Sequence, residues 1–367
     1  MEKFCVFCGE RPEAKNREHV IPRWLIRRTG DPKRSVFLGY DWTASELRQR
    51  RFSFDAFTFP ACEECNASFA ALENRAQPIV EAILAEKAIG AAEWSDFLDW
   101  LDKVRVGLWL GGIYLNKNHR GIEPRFHIQH RIAAADRFVV IYEMEDDGQA
   151  GVGWSNTDTP LFESMPSCFA LHINNFAFIS ASTQFLFSRR FGFPYLHGHH
   201  VDRENGLLEM TWSTGTGMRK IPLVKWNFPN GGSYLWQPII PPEARKAFAD
   251  SEGKLQDPLE WEYAKANCMD FSAGKGKVFL GGRGNLVVHP SGPSVDWVPK
   301  RFLPKREAIF RTTLASGRFL EKLYRESMPQ NLELVRVEER QHYEEEAQAV
   351  LAVHGAIMAR IVEQKNL

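Results

Sequence analysis

No stretch of this 367-residue chain approaches the ~20 consecutive apolar residues that a membrane-spanning helix needs. Its opening residues, MEKFCVFCGE, lack the apolar core of a secretory signal. No membrane association is therefore expected, and the setting is read as cytoplasmic. Net charge is missing as well: 46 Lys and Arg stand against 46 Asp and Glu. That balance excludes a general basic coat for nucleic acid but leaves room for a local one, because phosphate attraction follows clustered charge rather than the sum. Cysteine is scarce, with six in all, and in a reducing compartment paired cysteines are more often metal ligands than disulfides. There is no internal repeat, no low-complexity run and no phosphate-binding glycine loop. The glycines at Gly274, Gly276, Gly281, Gly282 and Gly284 fit neither nucleotide-binding pattern and read instead as hairpin turns around Lys277–Leu280.

What is present is an ordinary globular composition, 44% hydrophobic and 25% charged, long enough for two or three domains. The expected class is α+β. Residues 1–78 form a distinct cysteine-bearing module, with strands expected at Val36–Tyr40 and Phe52–Phe59 and a helix after Cys65 that stops or kinks at Pro78. Residues 79–135 are expected to be helical, with Trp94, Phe97, Leu98, Leu101, Val104 and Leu108 at three- and four-residue spacing and Ser95 as a cap. Trp94, Trp100 and Trp109 read as core. Residues 136–296 are short, β-rich segments separated by Gly, Pro and Asn, which suits an antiparallel sheet. Residues 297–367 return to helical patterns, over 303–325 and 332–365. The last of these is amphipathic, suited to packing on the body or to self-association as a homo-oligomer. Residues 300–325 carry eight basic and two acidic side chains, which reads either as a solvated helix face or as a nucleic-acid contact.

Four of the six cysteines fall in two CxxC pairs, Cys5/Cys8 and Cys62/Cys65. Four thiolates on two such knuckles suit a tetrahedral Zn²⁺. Gly9 follows the first pair, as a tight turn bringing backbone amides toward sulfur requires. Cys168 and Cys268 stand alone and read as core. His197, His199 and His200 crowd one short stretch, but no carboxylate or cysteine pattern supports a metal there.

Between the pairs lies Lys15-Asn16-Arg17-Glu18-His19-Val20-Ile21-Pro22-Arg23-Trp24, and Asn66 directly follows the second pair. In this order (CxxC, an acidic residue and His before two apolar residues and Pro, then CxxC followed by Asn) the first ~75 residues resemble the zinc-bound HNH endonuclease family. The resemblance implies a ββα-metal fold and metal-dependent hydrolysis of phosphodiester bonds. It makes His19 the general base, a role that suits an imidazole titrating near neutrality. It makes Glu18 and Asn66 oxygen ligands of a catalytic Mg²⁺ or Mn²⁺ beside a structural zinc. DNA is the implied partner, RNA an alternative, and Arg17 and Arg23 are expected at phosphates or simply at the surface. By analogy with HNH proteins that carry large extra domains, a restriction or phage-defence role follows.

The chain departs from the family pattern in lacking an Asn in the segment before the second CxxC. Asp55 or Thr58 is expected to orient His19 instead. Glu73, two helical turns after Asn66, reads as an added donor to the site or as a surface ion-pair partner. The competing expectation is a non-catalytic zinc knuckle that binds nucleic acid or protein.

Overall fold

The computed structural model describes residues 4–13, 16–41, 48–118, 121–193, 195–201, 208–213, 228, 231–239, 268–270, 275–282, 285–288 and 303–363. β1 (Asn16–His19) leads into α1 (Arg23–Arg28), then a hairpin of β2 (Ser35–Asp41) and β3 (Arg48–Ser53), then a single 3₁₀ turn at Phe54–Ala56. β4 (Thr58–Ala61) returns antiparallel to β1, setting Asn16 opposite Ala61 and His19 opposite Thr58. The run 52–59 is therefore not the continuous strand that its aromatic content suggests. Phe54 and Phe57 both turn inward onto Trp154, at ring centroid distances of 5.7 and 5.8 Å, and the 3₁₀ turn lets both do so.

α2 (Glu63–Leu84) follows the second cysteine pair and runs unbroken through Pro78. Proline there forfeits one backbone bond and costs about 3 kcal/mol in an isolated helix. Buried Ala76, Ile79, Val80 and Ile83 on either side pack the helix against its neighbour and offset that cost. The residue-78 boundary thus falls inside a helix. α3 (Ala91–Leu115) is capped not by Ser95, which lies in its interior, but at Gly90, whose N–H donates to Glu93 at 2.7 Å. Trp94, Trp100 and Trp109 are buried, as their spacing predicts.

The short α4 (Ile128–Arg131) leads into β5 (Asp136–Glu143), the centre of a seven-stranded antiparallel sheet. The other members are β6 (Val152–Ser155), β7 (Cys168–Ile173), β8 (Phe176–Thr183), β11 (Ser233–Gln237), β14 (Phe279–Gly282) and β15 (Asn285–Val288), in the order β15-β14-β11-β5-β8-β7-β6. α5 (Pro160–Ser164) connects β6 to β7, and α6 (Leu186–Phe191) follows β8. Outside it lie the pair β9 (Tyr195–Val201) and β10 (Leu208–Ser213), and the pair β12 (Cys268–Asp270) and β13 (Lys275–Gly276). The histidines at 197, 199 and 200 fall on β9; their side chains, like that of Cys268, lie outside the described residues.

β5, β7 and β8 are buried along nearly their whole length because both sheet faces are covered. On one face Phe178 meets Phe97 of α3; on the other His172 faces Thr312 and Phe138 stacks on Phe187. Thr312 belongs to α7 (Lys305–Leu334), against which α8 (Arg340–Glu363) buries Ala347, Val350, Leu351 and Met358. α8 thus packs most of its apolar stripe on the body, while Val353 stays exposed. Within the basic run after residue 303, Arg311 pairs with Glu307, Arg325 with Glu321 and Lys305 with Asp147, while Arg306 and Arg318 are exposed. Among the described residues no helix is long and apolar enough to cross a membrane.

The cysteine-bearing segment shares one continuous hydrophobic core with the sheet and helices. Two glycines one turn apart on α3 let the segment approach closely. A Cβ built on Gly107 would meet Val20 at 3.0 Å, and one on Gly111 would meet the Phe59 ring of β4 at 2.7 Å. Gly111→Ala is therefore expected to destabilise the protein by about 1–3 kcal/mol through overpacking. Equilibrium denaturation would measure it, and an unchanged midpoint would show that Phe59 yields without cost.

Candidate metal centre and active site

The four thiols converge on one point. Sγ atoms of Cys5, Cys8, Cys62 and Cys65 all lie within 4.8 Å of one another, with Cys8 and Cys62 3.8 Å apart. A tetrahedron of sulfurs at ~2.3 Å from a zinc ion has edges of ~3.8 Å, so the spacing fits a metal ion such as Zn²⁺. Backbone geometry builds the cluster. Gly9, at φ +89°, turns the chain so that its N–H reaches the Cys5 carbonyl at 2.9 Å. The Val6 N–H donates to Pro60 at the end of β4, tying the first knuckle to the second. α4 covers the first knuckle: Ile128 and Gln129 N–H groups donate to the carbonyls of Val6 and Phe7, and the His127 ring lies where a Cβ on Gly9 would sit.

The electrostatics also call for a cation. Burial works against a Cys5 thiolate, but the amides of Cys62, Cys8 and Phe7 outweigh it and hold this thiol below its usual range; the Cys62 N–H lies 3.2 Å from the sulfur. Cys62 is pushed up to about 12 and Cys65 higher still, by burial and by the neighbouring thiols. Four sulfurs this close cannot all ionise without a positive charge among them.

The residues singled out around the motif divide over two sides of β1. His19 is half-buried, and its Nε2 lies 3.0 Å from the backbone carbonyl of Asp55. A carbonyl only accepts, so Nε2 carries the proton and Nδ1 keeps its lone pair. Asp55 thus holds His19, but through its main chain; its carboxylate accepts from Ser53. Thr58 is the cross-strand neighbour of His19. Burial, helped by Arg23, lowers the His19 pKa below its ordinary value against the opposing pulls of the Asp55 carbonyl and Glu18. The imidazole is therefore neutral at neutral pH. Arg17, two residues earlier and on the same strand face, and Arg23 are both exposed.

Glu18 points the other way. Its carboxylate accepts from Lys103 Nζ at 2.6 Å, and Glu73 of α2 accepts from the same ammonium. The Lys103 side chain is 1% exposed, against 13% for Glu18 and 18% for Glu73. Burial pushes the Glu73 carboxyl above its ordinary value even with Lys103 beside it. Asn66, in the first turn of α2, gives its side-chain N–H to Asn16 at 3.3 Å. His19, Glu18 and Asn66 are thus held by three different partners. A hard divalent ion needs oxygen donors free to face it. The carboxylate meant for that ion is engaged by an ammonium, so Glu18 as arranged does not fit a Mg²⁺-class ion; Asn66 is bonded through its N–H, not through the carbonyl oxygen a metal would take.

Lys103 is the residue that sequence reasoning missed. A signal for it exists: α3 is apolar enough to be buried all round, yet it contains Asp99, Asp102, Lys103 and Arg105, and buried charges require partners. The others have them. Arg137 of β5 pairs with Asp99 and lies 3.5 Å from Asp102, Arg105 meets Asp102 at 2.7 Å, and Lys275 meets Asp99 at 2.6 Å.

No family model matches the chain, and neither does any curated protein or solved structure.

Proposed function

We propose that the N-terminal ββα unit is a zinc-stapled nuclease module of HNH type, hydrolysing phosphodiester bonds in DNA with His19 as general base. The observation that carries this reading is the His19 ring at the end of β1, held through Nε2 by the Asp55 carbonyl so that Nδ1 keeps its lone pair, with burial favouring its neutral form. In the proposed reaction Nδ1 takes a proton from the attacking water, which adds to phosphorus as the ester oxygen leaves. Arg17 and Arg23, exposed near that ring, supply positive charge for the phosphate. A structural zinc at the four cysteines holds β4 and the start of α2 against β1. No step is assigned to a Mg²⁺ or Mn²⁺ ion at Glu18, because Lys103 engages that carboxylate.

Incubating the zinc-loaded chain with supercoiled plasmid, with and without added Mg²⁺ or Mn²⁺, tests the proposal; single-stranded RNA in parallel addresses the other polymer. Intact substrate under every condition would favour the second reading, a zinc knuckle that binds nucleic acid or protein without cutting. The capture of Glu18 by Lys103 is the observation behind that alternative.

If His19 is the base, the pH–rate profile carries its signature. The base works when neutral, so the rate should hold across neutral pH and fall as pH drops through the His19 pKa, which burial holds below the ordinary imidazole value. An acidic limb well above pH 7 would exclude His19 from that role.

A further inference from the structure

Three elements deliver oxygen or π density to one ammonium. Glu18 comes from β1, Glu73 from α2, and the Phe7 ring, from between the first two cysteines, lies 5.7 Å from Lys103 Nζ. α3 supplies the cation. Lys103 thereby fills the position between two carboxylates where a divalent ion would otherwise stand. A buried lysine is not displaced cheaply, because moving it would strand its charge in the core beside two unpaired carboxylates. We infer that Lys103 is the resident cation of the Glu18–Glu73 pair, so that the native protein takes up no divalent ion there and acquires a site for one when the ammonium is removed.

The two oxygens already meet around a cation, and that separates this pair from an ordinary acidic cluster. A Lys103→Met side chain keeps much of the stem that packs in the core but removes the charge, leaving two carboxylates to share a space that suits a hard cation. The inference concerns binding, and it stands whether or not His19 cleaves anything.

Mn²⁺ titration of the zinc-loaded full chain, read by the loss of the free-ion electron paramagnetic resonance signal, tests it. The wild-type protein should show no Mn²⁺ uptake that depends on Glu18, so Glu18→Gln should leave its titration unchanged. Lys103→Met should gain one Mn²⁺ per chain, and Lys103→Met combined with Glu18→Gln should lose it again. Stoichiometric uptake by the wild type that Glu18→Gln abolishes would overturn the inference, as would a folded Lys103→Met protein that takes up none. Should Lys103→Met fail to fold by circular dichroism, the comparison of wild type with Glu18→Gln decides alone.

Discussion

Cys65→Ser protein should lose stoichiometric zinc and the order of the segment around His19, while the sheet and α3 keep theirs. Structural zinc contributes an apparent ~10–16 kcal/mol in small zinc modules, most of it inseparable from folding. The full value is an upper bound here, because Phe59, Val20 and Phe7 also anchor the segment in the common core. What a bound metal would add is specific: it would hold together Cys5 and Cys62, 57 residues apart, in a cluster whose thiols otherwise resist joint ionisation. Without it the Val6–Pro60 bond and the first helical bond of α2, from Asn66 N–H to the Cys62 carbonyl, lose their support. Metal analysis of the purified variant and amide hydrogen exchange measure both effects. Full zinc occupancy with unchanged protection at Val6 and Asn66 would remove the cluster from any organising role. Prolonged chelation of the wild type should reproduce the variant, which separates loss of metal from the substitution itself.

Much of this centre could be read from the sequence, for a physical reason. Metal ligation fixes residue type and local spacing together, so two CxxC pairs predict a converged cluster wherever the intervening chain goes. The short β-rich segments of 136–296, set apart by Gly, Pro and Asn, likewise announced the antiparallel sheet to which β5, β7 and β8 belong. Reading failed where tertiary packing overrode local preference. Pro78 is expected to stop or kink the helix, and it does not stop it, because the apolar face of α2 is already committed to α3. Phe52–Phe59 has the composition of a strand, but Trp154 on the main sheet draws two of its rings to one side. Ser95 has the chemistry of a cap, while the actual start at Gly90 depends on Glu93 reaching back. The partner of Glu18 was beyond local reading altogether. Lys103 is 85 residues away, and only the packing of α3 across the unit brings its charge to β1.

The same packing shapes the remaining test, at His19. His19→Ala should cut plasmid cleavage by about 10²–10⁴-fold, the usual contribution of a positioned general base. Zinc content and denaturation midpoint should stay close to wild type. The ring is half-buried and makes one hydrogen bond, to a main-chain carbonyl beside solvent, so its removal strands no deeply buried charge. Asp55→Ala is the informative companion. It leaves the carbonyl that holds the ring and removes only a carboxylate that accepts from Ser53, so it should retain most of the activity. A role for the Asp55 side chain itself would instead make the two variants equally inactive. A His19→Ala protein that cuts at the wild-type rate would detach catalysis from this strand, leaving the thiol cluster as a scaffold for binding.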